Sequence, residues 1–502
     1  MSPLSHFEGP WIDAIKRHSS KSPSDFPSYP CSEPESLVST SHPVSFEVGT
    51  GASIYTQSLL PAILEAKHEV ILVTCFWAPS STLTALRETL EQLAKQREGR
   101  ISNQSPSHPD GATLPPLNIY ICFSSRSFFQ KLFHPWSRDG YIYHPSKWVS
   151  KLGLPDPRLL EAGLINLQVK SLFFLPVSVM HPKFLIVDRQ RAWLPSCNVS
   201  WEPWLEGCLE ITGDAIAALL RFYHSVWDRH LEVDRQSPIT DGRRQHVDSS
   251  TWSPGRIGLT SIQSPVSHRV TLQPGGIPTI LLPSSHHRDP HFRPFPWHHF
   301  PRPPATPLNS AILRLIAIAK KKIYVQTPNL TSAAVVEALL EAVNRGVEVV
   351  VVTSKGMMVL EQLLTGGTTT SWCLRSFIKA YEKRKKHFAY YARANNNEDP
   401  GAILDLEAQP ARLGSLEIFY FQPLPSNQER QVPEEPVHSH LKLLVVDDEY
   451  AVLGSGNMDR ASWFTSQELG ILFHSNEFVA NVNNTVNRAL RGRLRLLFSS
   501  KH

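Results

Sequence analysis

His181-Pro182-Lys183-Phe184-Leu185-Ile186-Val187-Asp188 and His440-Leu441-Lys442-Leu443-Leu444-Val445-Val446-Asp447 are two copies of one pattern, placed in the two halves of a 502-residue chain. Ser196-Cys197-Asn198 follows the first copy and Ser455-Gly456-Asn457 the second. The offset is eight residues from Asp to Ser and two from Ser to Asn in both. On ordinary residue frequencies such a coincidence has odds far below roughly one in ten thousand. The apolar runs 184–187 and 443–446 have the composition of buried strands. Side chains alternate faces along a strand, so each His and its Lys, two apart, project to one side, as two groups touching one phosphate must. Asp188 and Asp447 complete the motif, but they lie seven residues past their histidines, an odd offset. They are therefore expected to close turns or pair with a base. Two later acids are the expected partners of the imidazoles: Glu210, twelve residues past Asn198, and Glu468, eleven past Asn457.

Outward from the motifs, the chain repeats itself. A helical stretch, 62–67, runs into the apolar strand 70–74. Later, 311–320 runs into 323–327, and Thr74 aligns with Thr327. Helices at 83–95 and 333–344 and strands at 117–122 and 347–352 continue each unit. Helical periods alternating with short apolar runs predict βαβ units and an α/β fold with mostly parallel sheets. Residues 1–45, rich in Ser and Pro, are expected to form a flexible tail, with 46–234 and 307–502 as the two halves. Residues 235–306 form a Pro- and His-rich connection with one strand at 277–282, and 96–116 a polar insertion. Thr74 and Thr327 are sheet residues with a smaller chance of lining the site.

The chemistry follows from placing the two sets together. A neutral imidazole attacks phosphorus, and a protonated one gives its proton to the leaving alcohol. His181 and His440 supply that pair. Lys183 and Lys442, helped by Ser196, Asn198, Ser455 and Asn457 as phosphate-binding groups, neutralise the phosphoryl oxygens. No cofactor and no metal is required.

These residues resemble the HKD motifs of the phospholipase D superfamily, and the stretches 319–330, 338–352 and 440–470 resemble its cardiolipin synthase-like branch. The resemblance covers roughly residues 46–234 and 277–497. It implies two phospholipase D-like α/β/α halves related by a pseudo-twofold axis, with one active site between them. One histidine is then the nucleophile, in this family more often the N-terminal one, His181, and the other is the acid and base. A downstream acid contacts each imidazole. Pro195 stands where the family has a glycine. The membrane helices usual in bacterial cardiolipin synthases find no match here.

The implied function is phosphodiester cleavage or exchange on a phospholipid. The alternatives are a nuclease on the same scaffold and a binding protein that keeps the fold without the chemistry. A net charge of +5 permits nucleic acid, but no long basic stripe with regular aromatics points to one, so no nucleic-acid partner is expected. With both motifs in one chain, a monomer suffices. The expected partners are a phospholipid and a membrane surface approached from one side, since the longest strongly apolar run, 70–78, is too short to span a bilayer. Glu8 and Asp13 interrupt any secretory leader at the start. The six cysteines form no Cys-x-x-Cys pair, which fits a reducing compartment: cytoplasmic or membrane-peripheral, mitochondria included. Three segments have two readings each. The basic stretch 372–387, with Arg375, Lys379, Lys383, Arg384, Lys385 and Lys386, is a solvated helix face or a rim that attracts phosphate. The aromatic, Arg- and His-rich segment 286–304 is a linker or a membrane contact. The loop with Trp136, Tyr141, Tyr143 and Trp148 forms a pocket rim or packs over it.

Overall fold

The computed structural model describes residues 5–19, 33–103, 114–127, 130, 140–174, 178–200, 203–228, 267–273, 275–284, 302–396, 412–425 and 435–501. In the first half, Glu69–Phe76 pairs in parallel with Leu117–Ser125, which pairs in parallel with Ile165–Ser171. On its other side Glu69–Phe76 meets the motif strand Phe184–Val187 antiparallel. The sheet continues antiparallel through Arg191–Pro195, Trp204–Gly213 and Val38–Thr50. The second half repeats this order strand for strand. Lys322–Gln326 is parallel to Glu348–Ser354, and that to Leu416–Phe421. Beyond Lys322–Gln326 come Leu443–Val446, Tyr450–Gly454, Glu468–His474 and Ile277–Ser284, all antiparallel. Val38–Thr50 and Ile277–Ser284 then pair with each other, joining the halves into one sheet.

The expected parallel strands and crossover helices are therefore present at the core of each half, but the sheet is mixed and, from the motif strands onward, antiparallel pairings outnumber the parallel ones. The reason is chain length. A parallel neighbour needs a crossover of a dozen or more residues, whereas only 188–190 and 447–449 separate each motif strand from the next. Asp188, Arg189, Asp447 and Asp448 take positive φ of 50°, 57°, 55° and 56° to make those turns. Aspartate tolerates that region better than most residues.

Two expectations about the connecting segments are corrected. Within residues 1–45, Ser5–Ser19 is a helix that buries Phe7, Trp11 and Ile15. These residues recur every four positions and so share one face. Trp11 Nε1 donates to the Pro307 carbonyl at 3.1 Å, which ties the helix to the start of Pro307–Ile318 in the second half. The Ser/Pro-rich composition around it masked a three-residue apolar face. The strand that follows starts at Val38, ahead of the expected Phe46. The strand of the connection, Ile277–Ser284, belongs by its pairing to the second half's sheet. Tyr143 and Trp148 pack into the core of the first half beside Phe123 and Trp77. Trp136 and residues 286–301 lie outside the described residues, as do 235–266 and 104–113. Among the described residues no helix is long and apolar enough to cross a membrane.

Candidate active site

Each motif histidine sits just before its apolar strand, at the end of a short extended segment anchored to the opposite half. The N–H of His440 donates to the Leu205 carbonyl at 2.8 Å, and His438–Ser439 runs parallel to Trp204–Leu205. In the first motif, the N–H of His181 donates to the Gln467 carbonyl at 3.0 Å, and that of Gln467 to Val179 at 3.0 Å. Each histidine is thereby carried to the strand that follows the other motif, and its carboxylate partner comes from there. His181 Nδ1 lies 2.8 Å from Glu468 Oε2, and His440 Nδ1 lies 2.8 Å from Glu206 Oε1. The arrangement is crosswise, so neither half alone holds an oriented imidazole. A carboxylate on Nδ1 fixes the tautomer with its proton there. Both glutamates meet their rings at Nδ1 and not at Nε2.

Of the two expected acids, Glu468 is therefore in place, though it serves the other half's histidine. Glu210 is a correction. Its carboxylate receives Arg191 at 2.8 Å, Arg269 at 3.3 Å and the Ser45 hydroxyl at 3.0 Å, and the acid on His440 is Glu206. The two glutamates share a face of one strand, but four residues of strand separate them by about 13 Å. Spacing was the misleading signal. The second motif carries a helix, Arg460–Phe464, between Asn457 and its acid, so counting eleven or twelve residues past Asn198 overshoots. Register gives the right answer: Ser196 N–H donates to the Gly207 carbonyl and Ser455 N–H to that of Leu469, so the acid preceding each is the match.

The serines are also reassigned. The Ser196 hydroxyl donates to Glu206 Oε2 and accepts from the Gly207 N–H at 2.9 Å; that of Ser455 donates to Glu468 Oε2 and accepts from Leu469 at 3.0 Å. Both are engaged in positioning a glutamate and are not free to bind phosphate. Asn198 accepts from the Phe76 N–H at 3.3 Å, and the Asn457 amide donates to the buried carboxylate of Asp459 at 2.9 Å. Asp188 and Asp447 stand apart from the histidines. Asp188 accepts the backbone N–H groups of Lys67, His68 and Glu69, and Asp447 those of Lys320, Lys321 and Lys322, at 2.7–3.0 Å. They complete the motif without joining its chemistry, closing the turns expected of them and clamping the chain that enters each central strand. The aligned threonines act alike too. Thr74 Oγ1 receives the N–H of Val199 at 3.3 Å and Thr327 Oγ1 that of Met458 at 3.1 Å, the residue after each motif asparagine.

Lys183 and Lys442 are buried, and each ammonium donates to the carbonyl of its own motif histidine, at 2.9 and 2.6 Å. Burial pushes Lys442 down to about 7, against the pull of Glu206, and pushes Glu206 up to about 7. His181 is held below its ordinary value by burial, with Glu468 opposing. His440 is held well below its own, first by burial and then by the charges of Lys442 and Lys183. The two rings are not equivalent. The His440 side chain is 3% exposed against 12% for His181, and the Trp204 ring, which the sequence reading did not single out, lies 4.9 Å from that of His440. Among the described residues no group of three or more His, Cys, Asp and Glu is placed to hold a metal ion.

Residues 312–490 match the family described as cardiolipin synthase, PLD-like domain. No curated protein matches the chain in sequence. Among solved structures, phosphatidylserine synthase from Haemophilus influenzae Rd KW20 is similar over 97% of this chain and 92% of its own, at 14% identity and a TM-score of 0.52. Nuc from Salmonella typhimurium, a phospholipase D family member, matches 43% of this chain over 96% of its own at 16% identity and a TM-score of 0.24. Polyphosphate kinase from Porphyromonas gingivalis matches 96% of this chain over 51% of its own at 10% identity and a TM-score of 0.43.

Proposed function

We propose that the chain, whose residues 312–490 match a cardiolipin synthase, PLD-like domain, acts as a member of the phospholipase D superfamily and cleaves or exchanges the phosphodiester of a phospholipid through a covalent phosphohistidine. The observation that carries this reading is the crossed pair of imidazoles, each held at Nδ1 by a buried carboxylate at 2.8 Å. The tautomer so fixed presents Nε2 of a neutral ring as a lone pair, and Nε2 of a protonated ring as a donor. In the first step one Nε2 attacks phosphorus. A P–N bond forms, the P–O bond to the leaving alcohol breaks, and the other imidazolium passes its Nε2 proton to that oxygen. In the second step the same ring takes a proton from water or an acceptor alcohol, whose oxygen displaces the histidine and breaks the P–N bond. Water gives hydrolysis and an alcohol gives transfer.

Lys183 and Lys442 supply positive charge beside the phosphoryl oxygens. Their fixed, dry surroundings make that charge worth more than it is in water. Ser196 and Ser455 act one step back, holding the carboxylates that hold the rings. The lipid reading is supported by the description of the matching family and by the phosphatidylserine synthase that shares the fold. A panel of glycerophospholipid vesicles, with and without glycerol or phosphatidylglycerol as acceptor, tests it beside the His440→Ala variant. Release or exchange of headgroup that the variant lacks is expected. No turnover of any phospholipid by pure protein overturns the substrate assignment.

A further inference from the structure

The helix Val359–Gly366 is inside out. Its polar Gln362 is buried: it donates to Asn329 Oδ1 at 2.8 Å and to the Met357 carbonyl, and it accepts from the Thr370 N–H at 2.6 Å. Val359, Leu360, Leu363 and Leu364 are 41%, 72%, 39% and 65% exposed. At about 100° per residue these four fill a continuous arc opposite Gln362. A helix that turns polar side inward and four aliphatic side chains outward gains nothing for the fold. An exposed apolar patch of this kind marks a surface that something covers.

The next helix, Thr370–Asn396, adds charge. Trp372, Arg375, Lys379, Lys383, Lys386 and Tyr390 recur at intervals of three and four, so they form one narrow stripe along it. All six are exposed, Trp372 to 55% and Tyr390 to 69%. Arg375, Lys379, Lys383 and Lys386 make no ion pair with a described residue, whereas Arg384, off the stripe, pairs with Glu341. Aromatic rings at the ends of a cationic stripe, next to exposed leucines, match the chemistry of an anionic lipid interface: apolar side chains for the acyl boundary, ammonium groups for the phosphates.

The patch also lies on the side of the molecule where the imidazoles are. Val359 follows Ser354 by five residues, and the Ser354 hydroxyl donates to the carbonyl of Ser439, the neighbour of His440. Asn329, which receives Gln362, precedes Leu330 and Thr331, and Thr331 N–H donates to Met458 beside Asn457. We propose that Val359–Gly366 and the Trp372–Tyr390 stripe dock the protein on an anionic phospholipid surface beside the active site. This deepens the phospholipid reading above and rests on it.

The test is co-sedimentation of the full chain, carrying His440→Ala so that nothing is turned over, with vesicles of phosphatidylcholine alone or mixed with phosphatidylglycerol. Binding to the anionic vesicles at least about tenfold tighter than to the neutral ones is expected. Leu360→Ser with Leu364→Ser weakens it by about tenfold or more at low and high salt. Lys379→Glu with Lys383→Glu removes the preference for phosphatidylglycerol, mainly at low salt. Trp372→Ser gives an independent apolar variant should the leucine pair disturb folding, which the melting curve reports. Unchanged binding in both double variants overturns the proposal, as does binding to a DNA duplex with none to either vesicle. The two readings separate cleanly. Vesicle binding that depends on these residues, by a wild type that cleaves no lipid, keeps the docking surface and removes the substrate. Cleavage of a short-chain lipid in solution, with no vesicle binding, does the reverse.

Discussion

Glu206→Gln and Glu210→Gln lie two periods of strand alternation apart and should differ sharply in effect. Both acids sit on Trp204–Gly213 and face the same side. Only Glu206 touches an imidazole, at 2.8 Å from His440 Nδ1. A hydrogen bond to an ionised group contributes about 1.5–3 kcal/mol. This one strengthens when the ring gains charge in the transition state, so the loss falls on kcat. At about 1.36 kcal/mol per tenfold, Glu206→Gln should slow kcat by roughly tenfold to 150-fold. Stability should move the other way. Burial raises the carboxyl of Glu206 to about 7, so the folded state holds its proton more tightly than the unfolded state. Its ionisation therefore opposes folding increasingly as pH rises from the ordinary carboxylate range to neutrality, and a neutral amide is spared that cost. The variant should melt no lower than wild type above neutral pH. Glu210→Gln instead loses pairs with Arg191 and Arg269, both half-exposed, which are worth little. Its kcat should stay within about twofold of wild type. The assay is steady-state headgroup release on mixed vesicles with parallel melting curves. Equal losses in the two variants, or none in Glu206→Gln, would refute the crossed assignment.

Further outcomes follow from the same geometry. Because Ser196 acts through Glu206, the Ser196→Ala/Glu206→Gln double variant should lose no more activity than Glu206→Gln alone; additive losses in a double-mutant cycle would mean the serine reaches the substrate itself. Asp188→Ala and Asp447→Ala each remove three backbone partners far from the rings, so each should cost about 1–3 kcal/mol in chemical denaturation while kcat/KM stays within about threefold. A collapse of kcat in a variant that remains folded would return the aspartates to the chemistry. Burial holds both histidines below their ordinary value, so the acid limb of kcat/KM should lie below pH 6.5. The ring that must be protonated also gives up its proton early, and activity should already decline as pH rises through neutrality. A plateau extending well into alkaline pH would contradict this.

The sequence made the repeat legible because its signals are local. Four apolar residues make a buried strand wherever they lie, and His and Lys two apart share a face whatever surrounds them. The helices and strands that follow Ala62 and Ala311 could be read from period alone, and the parallel pairings of their βαβ units are observed. What stayed hidden depends on partners distant in the chain. The helix Ser5–Ser19 buries only three apolar residues, which matter because the second half offers them a surface. Glu206 could not be separated from Glu210 without the register that sets Ser196 against Gly207. The crossing itself, His181 to Glu468 and His440 to Glu206, is a property of how the halves meet and has no signature within either half. The serines show the same limit. Their repeated position announced a role, but only the contact with a glutamate reveals that the role is positioning.

The central claim is that these two histidines form one site working through a P–N bond. Rapid mixing with a phospholipid, quenching in base to preserve phosphohistidine, and mass spectrometry of the digested protein test it most directly. The account predicts a phosphatidyl adduct on the peptide carrying His181 or on that carrying His440, absent from both His181→Ala and His440→Ala. Turnover with no adduct on either peptide, or turnover that survives in both variants, would contradict it.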